Sequence, residues 1–227
     1  MVTNLPTIIE SLLSSPPDVK SSDIPTYLAA LQSSLTKMGL QDPLNLPAFL
    51  PKAFNLIFST ILLSPSAPPA VLTAASEAIG SQGIVRYCIT DDMILASLNY
   101  RRQGSLEPGS RKKQKTPFLS RLIAAVTEAL GKNASRMGQL LPILTALVSR
   151  LRLRVNPDGQ AAVDPSGQGV AAAQELLLDL VTEVGDLRTD KGFEEKAKVD
   201  DLVGAAIEVM GVEAVLKALP LNIEPDE

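Results

Sequence analysis

The stretch "VLTAASEAIG", residues 71–80, decides the fold because it joins helix-forming residues to a face of small side chains. Ala74, Ala75 and Ala78 recur at the three- and four-residue spacing of a helix. Prolines just before the stretch suit a first helical turn, and Gly80 suits its end. Because small side chains let a neighbouring helix approach closely, the stretch predicts an inner helix of a packed pair over 67–80.

The same kind of periodicity predicts helices along almost the whole chain. Leu and Ala dominate, aromatic residues are 4% and there is no Trp, which favours helix-on-helix packing over an aromatic-rich β core. The predicted helices are 5–13, 24–38, 46–63, 67–80, 84–99, 117–130, 134–152, 168–187, 196–210 and 212–219. Only "RLRLRV" (150–155) alternates, and we interpret it as the last turn of a helix, with a short strand as the alternative.

Helix-ending glycines favour an array of helix pairs over a closed bundle, which is the alternative. We expect Asp23 to cap the helix from residue 24, and Gly39 to take the left-handed position past its end. Gly39 and Gly80 lie one HEAT/armadillo period apart, roughly 40–47 residues, and Gly131 and Gly211 about two. The prediction is an all-α, right-handed α-solenoid of HEAT/armadillo-like helix pairs.

The expected organisation is one solenoid segment over 1–227, with about five helix pairs. A basic flexible insertion is predicted at about 101–116, and a loop at about 155–167. Because neither end has the polar cap that closes a repeat array, we expect a part of a longer array.

Cysteine use and hydropathy indicate a soluble intracellular protein. Cys88 is the single cysteine, so no intrachain disulfide is expected and a reducing compartment is favoured. The N-terminal sequence lacks the basic region of a signal peptide. No stretch reaches the roughly 18 uninterrupted apolar residues of a membrane span.

The net charge of −4 hides an uneven distribution. Residues 101–154 hold twelve basic and two acidic residues, whereas residues 155–227 hold five basic and sixteen acidic ones. The basic part begins with "RRQGSLEPGSRKKQK" (101–115), which has little apolar content and is expected to be a mobile loop. Such asymmetry indicates charged partners and says little about the fold.

Three interpretations of the basic stretch remain open: phosphate contacts, a nuclear import signal, or a solvated loop that aids solubility. No aromatic residue is interleaved, so base stacking is not indicated. The candidate RNA-binding residues are Arg101, Arg102, Arg111, Lys112, Lys113, Lys115, Arg150, Arg152 and Arg154. Arg121, Lys132 and Arg136 extend the positive sector.

Catalytic chemistry is poorly supported. The chain has no His, which excludes His-dependent triads and His-ligated metals. Cys88 stands among apolar residues and is expected to be a buried thiol. The stretch "NPDGQAAVDPSGQG" (156–169) lacks the Gly-Lys-Ser/Thr ending of a Walker A motif, so we predict a surface loop between helices there. Acidic pairs such as Asp91–Asp92 read as helix caps or solvated faces, so no catalytic residue, metal or cofactor is predicted.

The C-terminal stretch "VDDLVGAAIEVMGVEAVLKALPLNIEPDE" (199–227) resembles a segment of the ribosomal-RNA-processing protein twelve family, whose members are HEAT-repeat factors of ribosome biogenesis. That family shows a Gly-Pro-Glu opening, a short apolar helix and a Leu-Pro-Leu-Asn exit. Val212 stands where the family has Pro. The matching positions are Gly211, Glu213, Val215, Leu216, Leu219, Pro220, Leu221 and Asn222.

Two upstream stretches, 46–80 and "KTPFLSRLIAAVTEALGKNA" (115–134), are similar to earlier repeats of the family. The resemblance implies a nuclear and nucleolar scaffold of pre-ribosomal particles, chiefly in small-subunit maturation and pre-ribosome export. Its implied partners are pre-ribosomal RNA, ribosome-assembly proteins and the export machinery. The family offers no catalytic residues to transfer. The alternative is a nuclear transport adaptor or importin-like solenoid that binds proteins without direct RNA contact.

Overall fold

A computed structural model describes residues 4–81, 83–106 and 115–219, with only the backbone described at 105 and 106. Ten α-helices lie in these ranges. They are α1 (Leu5–Ser14), α2 (Ile24–Gln41), α3 (Leu46–Asn55), α4 (Pro69–Ile79), α5 (Asp91–Leu106), α6 (Phe118–Lys132), α7 (Met137–Arg150), α8 (Ala172–Gly185), α9 (Lys196–Met210) and α10 (Val212–Ala218). Two short strands are β1 (Arg154–Val155) and β2 (Val170–Ala171).

The all-α prediction is confirmed, and each predicted helix has a counterpart. Shorter helical segments lie between them: π-helical turns at Leu56–Leu62 and Ile84–Cys88, and 3-10 turns at Ala134–Arg136 and Asp186–Thr189. In the described part of the chain, no helix is both long and apolar enough to cross a membrane.

The chain divides into two compact units. The first comprises Met1–Met93 and Thr116–Leu147, and the second comprises Ile94–Lys115 and Val148–Glu227. The prediction of one continuous solenoid segment is not tested by this division and stays a prediction.

In the first unit, α4 approaches α7 closely at Ser76 and Gly80. Ala75 and Ala78 are buried, and the Ser76 hydroxyl donates a hydrogen bond to the carbonyl of Gln139 at 2.7 Å. A Cβ at Gly80 would lie 3.4 Å from the Cα of Ile143. The close helix approach that "VLTAASEAIG" predicts is therefore confirmed.

Helices α3 and α6 pack in the same unit through aromatic rings. Phe54 stacks on Phe58 with ring centroids 4.9 Å apart, and it meets the edge of Phe118 at 6.1 Å. Phe58 lies in the π-helical continuation of α3, which is buried along one side. The long apolar run 46–63 therefore forms one continuous helical segment, α-helical up to Asn55 and π-helical over Leu56–Leu62.

The predicted helix 84–99 is split and then extended. A π-helical turn ends at Cys88, and the Thr90 hydroxyl accepts a hydrogen bond from the backbone N–H of Met93 at 3.3 Å. Thr90 thereby caps a new helix, α5, which runs on to Leu106. Residues 101–106, expected to belong to the loop, are instead helical.

The expected glycine pattern is largely wrong in its geometry. Gly39 lies inside α2 and Gly131 inside α6, and Gly80 ends α4 with a negative φ. Of the four, only Gly211 has a positive φ, at 96°. At Gly39 an added Cβ would lie 3.3 Å from the carbonyl oxygen of Tyr87, so this glycine serves a close backbone approach. Asp23 stands at the N-cap position, but its side chain makes no capping hydrogen bond.

In the second unit, "RLRLRV" does not continue the helix, so that interpretation is wrong. Helix α7 ends at Arg150, and β1 pairs antiparallel with β2 in the register Arg154–Ala171 and Val155–Val170. The turn back requires Gly169, where a Cβ would stand 2.3 Å from the carbonyl oxygen of Val155. The pairing delays the start of α8 to Ala172, four residues later than predicted.

Candidate nucleic-acid interface

The structure describes six of the nine candidate RNA-binding residues, all in the second unit. Arg111, Lys112 and Lys113 lie outside the described residues. Lys115 is exposed just before α6. The other five lie in α5 (Arg101, Arg102), at the end of α7 (Arg150), and on or just before β1 (Arg152, Arg154).

Arg102 is held inside the protein by four hydrogen bonds. Its Nε donates to Glu175 at 3.0 Å, and its Nη2 donates to the other oxygen of the same carboxylate. Further donations reach the carbonyl oxygens of Asn156 at 2.7 Å and Gly159 at 3.1 Å. Hydrogen bonding to Glu175 raises the pKa of Arg102. These bonds give Arg102 a positioning role, since they use most of its donors.

Its neighbour Arg101 makes a looser pair. Nη2 of Arg101 lies 3.0 Å from Asp179, and their side chains are 45% and 87% exposed. For the Arg102–Glu175 pair the corresponding values are 14% and 22%. Arg101 and Arg102 therefore pair with carboxylates on successive turns of α8. The Arg101–Asp179 pair is exposed to solvent, whereas the Arg102–Glu175 pair is largely buried.

Arg154 also forms hydrogen bonds within the protein that stabilise the fold. Its Nη1 donates to the carbonyl of Gly169 at 3.3 Å, and its Nη2 to the carbonyl of Val209 at 3.1 Å. Val209 lies in the last turn of α9, where carbonyl groups have no partner within the helix. A guanidinium there also suits the negative end of the helix dipole.

Arg152 is more open to solvent. Its Nε donates to the carbonyl of Ser149 at 3.0 Å, and its Nη2 lies 3.6 Å from the Glu208 carboxylate. Both of these side chains are exposed. An exposed pair at this separation contributes little and exchanges readily for another anion.

A cleft of about 470 Å³ opens beside the paired arginines. It is lined by Arg101, Arg102, Pro157, Asp158, Gly159, Gln174 and Glu175. The carboxylates of Asp158 and Glu175 offset the two guanidinium charges. The cleft is therefore not a cationic phosphate site.

The Gly-containing turns of the 156–169 loop are satisfied by the chain itself. Asp164 accepts hydrogen bonds from the backbone N–H and the hydroxyl of Ser166 at 2.9 and 2.8 Å, and from the backbone N–H of Gly169. Hydrogen bonding to Ser166 lowers the pKa of the Asp164 carboxyl. The N–H groups that an anion would use thus already bind a carboxylate, as expected of a surface loop.

Cys88 is buried, and burial raises the pKa of its thiol to about 12. The prediction of a buried thiol is confirmed. A thiol with such a pKa provides no thiolate at neutral pH.

Sequence reasoning did not find the polar groups that fix the 156–161 loop. The Asn99 side-chain oxygen accepts a hydrogen bond from the backbone N–H of Ala161 at 2.7 Å, on the same helix as Arg102. Glu175 and Asp179 are four residues apart, a spacing that puts both on one face of α8. That spacing was the available signal, but their partners lie more than seventy residues away in the sequence.

Among the described candidates, Arg102 and Arg154 therefore hold elements of the second unit together, whereas Lys115 and Arg152 are exposed. A family model described as Ribosomal RNA-processing protein 12, HEAT repeats, matches residues 66–227, which is more than two thirds of the chain. The chain belongs to this family. The match confirms both the resemblance and the HEAT-repeat fold class, whereas residues 220–222 of the Leu-Pro-Leu-Asn exit lie outside the described residues.

No curated protein and no solved structure matches the chain. Membership of the ribosomal RNA-processing protein 12 family associates the chain with ribosome biogenesis and pre-ribosomal particles.

Proposed function

We propose that this member of the ribosomal RNA-processing protein 12 family is a non-enzymatic HEAT-repeat scaffold that binds pre-ribosomal RNA and assembly proteins. It acts in the nucleolus and nucleus, chiefly in small-subunit maturation, and accompanies pre-ribosomes during export to the cytoplasm. The observation that carries the proposal is the family match together with the excess of ten positive charges in residues 101–154.

The hydrogen bonds of the described candidates support different roles for them in this proposal. Arg102 donates hydrogen bonds to loop carbonyls, and Arg154 donates one to a carbonyl in the last turn of α9. We assign phosphate contact to the cations of the basic stretch, Arg111, Lys112, Lys113 and Lys115, and to the exposed Arg152 as a further contributor. Arg101 and Arg150, which have interactions within the protein, take a lesser part.

The absence of His from the sequence and the raised pKa of Cys88 support a role without catalysis. A scaffold binds its partners through surfaces and needs no catalytic groups, and a repeat array exposes a long binding surface. Charge separation lets such a surface meet RNA phosphates in one sector and basic protein segments in another.

Charge reversal of the basic stretch tests the RNA contact. The variant Arg111→Glu, Lys112→Glu, Lys113→Glu, Lys115→Glu should bind single-stranded pre-ribosomal RNA more weakly, because fewer counterions are released. The slope of log affinity against log salt should flatten by up to about 3, at about 0.7 for each lost phosphate contact.

The matched control reverses four exposed lysines elsewhere: Lys20→Glu, Lys37→Glu, Lys52→Glu and Lys191→Glu. It has the same net charge, so its slope should stay near that of the unchanged protein. Equal slopes in both variants would remove the basic stretch from the account. Protein partners that survive nuclease digestion of the particle would favour a transport adaptor instead.

A further inference from the structure

The cleft beside Arg101 and Arg102 is not used by the proposed RNA contact. It has a volume of about 470 Å³ and lies entirely within the second unit, lined by residues of α5, of the start of α8 and of the turn at 157–159. Its volume is within the roughly 300–1,000 Å³ of ligand-binding clefts. The side chains that line it therefore indicate which ligand it accepts.

Asp158 stands in a turn that other elements hold in place. Arg102, on α5, donates hydrogen bonds to the carbonyl oxygens of Asn156 and Gly159, on either side of Asp158. A second residue of α5, Asn99, accepts a hydrogen bond from the backbone just after the turn. The backbone that carries Asp158 is thus fixed before any ligand binds, which lowers the entropic cost of binding.

The charges in and beside the cleft leave one carboxylate without a partner. Arg102 and Glu175 form the largely buried pair, and Arg101 pairs with Asp179. The Asp158 side chain is exposed and forms no hydrogen bond or ion pair with a described residue. Two guanidinium groups and three carboxylates give a net charge of −1, so the cleft favours a cation.

Gln174 adds a neutral polar group to the same cleft. Its side chain is half-buried at the start of α8 and forms no hydrogen bond with a described residue. The Gln174 amide oxygen and the Asp158 carboxylate are both acceptors. A guanidinium group carries five N–H donors in one plane, so it can donate to a carboxylate and to a second acceptor at once.

We propose that this cleft binds an arginine side chain in a basic segment of a partner protein, with Asp158 pairing with the guanidinium group and Gln174 accepting a hydrogen bond from it. The inference rests on the proposed scaffold function, which requires surfaces for assembly proteins. It assigns one such surface to residues other than the basic stretch. A surplus carboxylate also disfavours acidic partners, which adds selectivity.

An RNA base fits the cleft less well. None of the described residues that line it is aromatic, and both of its guanidinium groups already pair with carboxylates, so a base lacks a stacking partner. An RNA phosphate is repelled by Asp158. The chain's own basic stretch is the remaining alternative occupant, because it follows α5 in the sequence.

Fluorescence anisotropy on the full chain tests the proposal with a labelled nonapeptide of alternating glycine and arginine. A second peptide carries citrulline, the uncharged analogue of arginine, at the same positions. The arginine peptide should bind at least about tenfold more tightly than the citrulline peptide. Asp158→Asn should weaken its binding by at least about fivefold, and Gln174→Ala by about threefold, as for the loss of a charged and of a neutral hydrogen-bond partner.

Asp201→Asn is the matched control, since it removes the same charge from another exposed aspartate of the second unit. It should leave the affinity for the arginine peptide within about twofold, because distant charges are screened. Asn suits a turn as well as Asp does, so Asp158→Asn should unfold at the same temperature as the unchanged protein. Equal losses in the two variants, or equal binding of the two peptides, would overturn the proposal.

The same variants separate this inference from the RNA contact. Asp158→Asn should keep the salt slope of RNA binding, so the two proposals fail separately. Weaker binding of a single-stranded RNA by Asp158→Asn than by Asp201→Asn would place a base in the cleft. A zero-length carbodiimide crosslink from Asp158 to Lys112, Lys113 or Lys115 in the protein alone would place the chain's own cations there. Either result would overturn the proposal.

Discussion

At the scale of the residue, Gly211 and Gly131 illustrate two different uses of glycine. Gly211 ends α9 with φ 96° and ψ 151°, a region that only glycine enters without strain. Gly131 lies in the last turn of α6, where an added Cβ would meet nothing within 4 Å. One glycine is required by the backbone, and the other is merely tolerated.

The two positions therefore respond oppositely to alanine. Gly211→Ala should lower the free energy of unfolding by about 1–3 kcal/mol because of backbone strain alone, since space is available there. Gly131→Ala should raise it by up to about 1 kcal/mol through helix propensity. Urea denaturation followed by circular dichroism measures both, and shifts of the same sign would contradict the assignment.

Cys88 gives a second prediction at this scale. With a thiol pKa of about 12, against about 8.5 in an unfolded chain, native Cys88 should react with iodoacetamide at pH 8 at least about 100-fold more slowly than in urea. The stability that this raised pKa contributes is complete below about pH 8.5 and is lost as the pH rises towards 12. Because Cys88 is the single cysteine, mass spectrometry reads the rate directly. Comparable rates with and without urea would show that Cys88 is accessible.

At the scale of the element, Arg101 and Arg102 form a matched pair on α5. Arg102→Ala should cost about 2–3 kcal/mol, because it leaves a largely buried Glu175 and two backbone carbonyls without their donor. Arg101→Ala should cost less than about 0.5 kcal/mol, because its pair with Asp179 is exposed.

Urea denaturation distinguishes the two, since both variants lose the same formal charge. Arg102→Lys should recover little of the loss, because an ammonium group cannot donate to both oxygens of Glu175 in one plane. Equal destabilisation by Arg101→Ala and Arg102→Ala would contradict the positioning role.

The helices were predictable because each carries its own apolar period. In α4, the small side chains of Ala75 and Ala78, which are buried, also predicted that a neighbouring helix approaches closely. The elements that sequence reasoning missed depend on distant residues. Strand β1 exists because β2 and Gly169 return beside it, and the pattern of "RLRLRV" alone fits a helix end as well. Gly39 was misassigned because the close approach of Tyr87 is invisible in the local sequence.

The sequence predicted which cations are candidates for the site, but not which of them are used within the fold. Counting charges found the basic sector, but nothing local to Arg102 indicates a carboxylate seventy-three residues away. Likewise, Arg154 looks like any surface cation until α9 places the carbonyl of Val209 within 3.1 Å. Burial and long-range pairing decide which cations a partner meets.

At the scale of the whole molecule, the separation of charge follows the order of the chain, with a basic middle and an acidic C-terminal part. Long-range attraction to RNA depends on this distribution and is screened beyond roughly 8 Å at physiological salt. Under the proposed function, cations of the middle segment are therefore expected to guide the protein to RNA, and the helices are expected to supply the surface for assembly proteins.

Ultraviolet crosslinking of the full-length protein within its native pre-ribosomal particle, with crosslinked peptides mapped by mass spectrometry, tests this account most directly. RNA adducts should concentrate in residues 101–154, above all at Arg111, Lys112, Lys113 and Lys115, and should be lost from the charge-reversed variant. Adducts confined to other parts of the chain, with the variant still incorporated into the particle and still crosslinked, would contradict it.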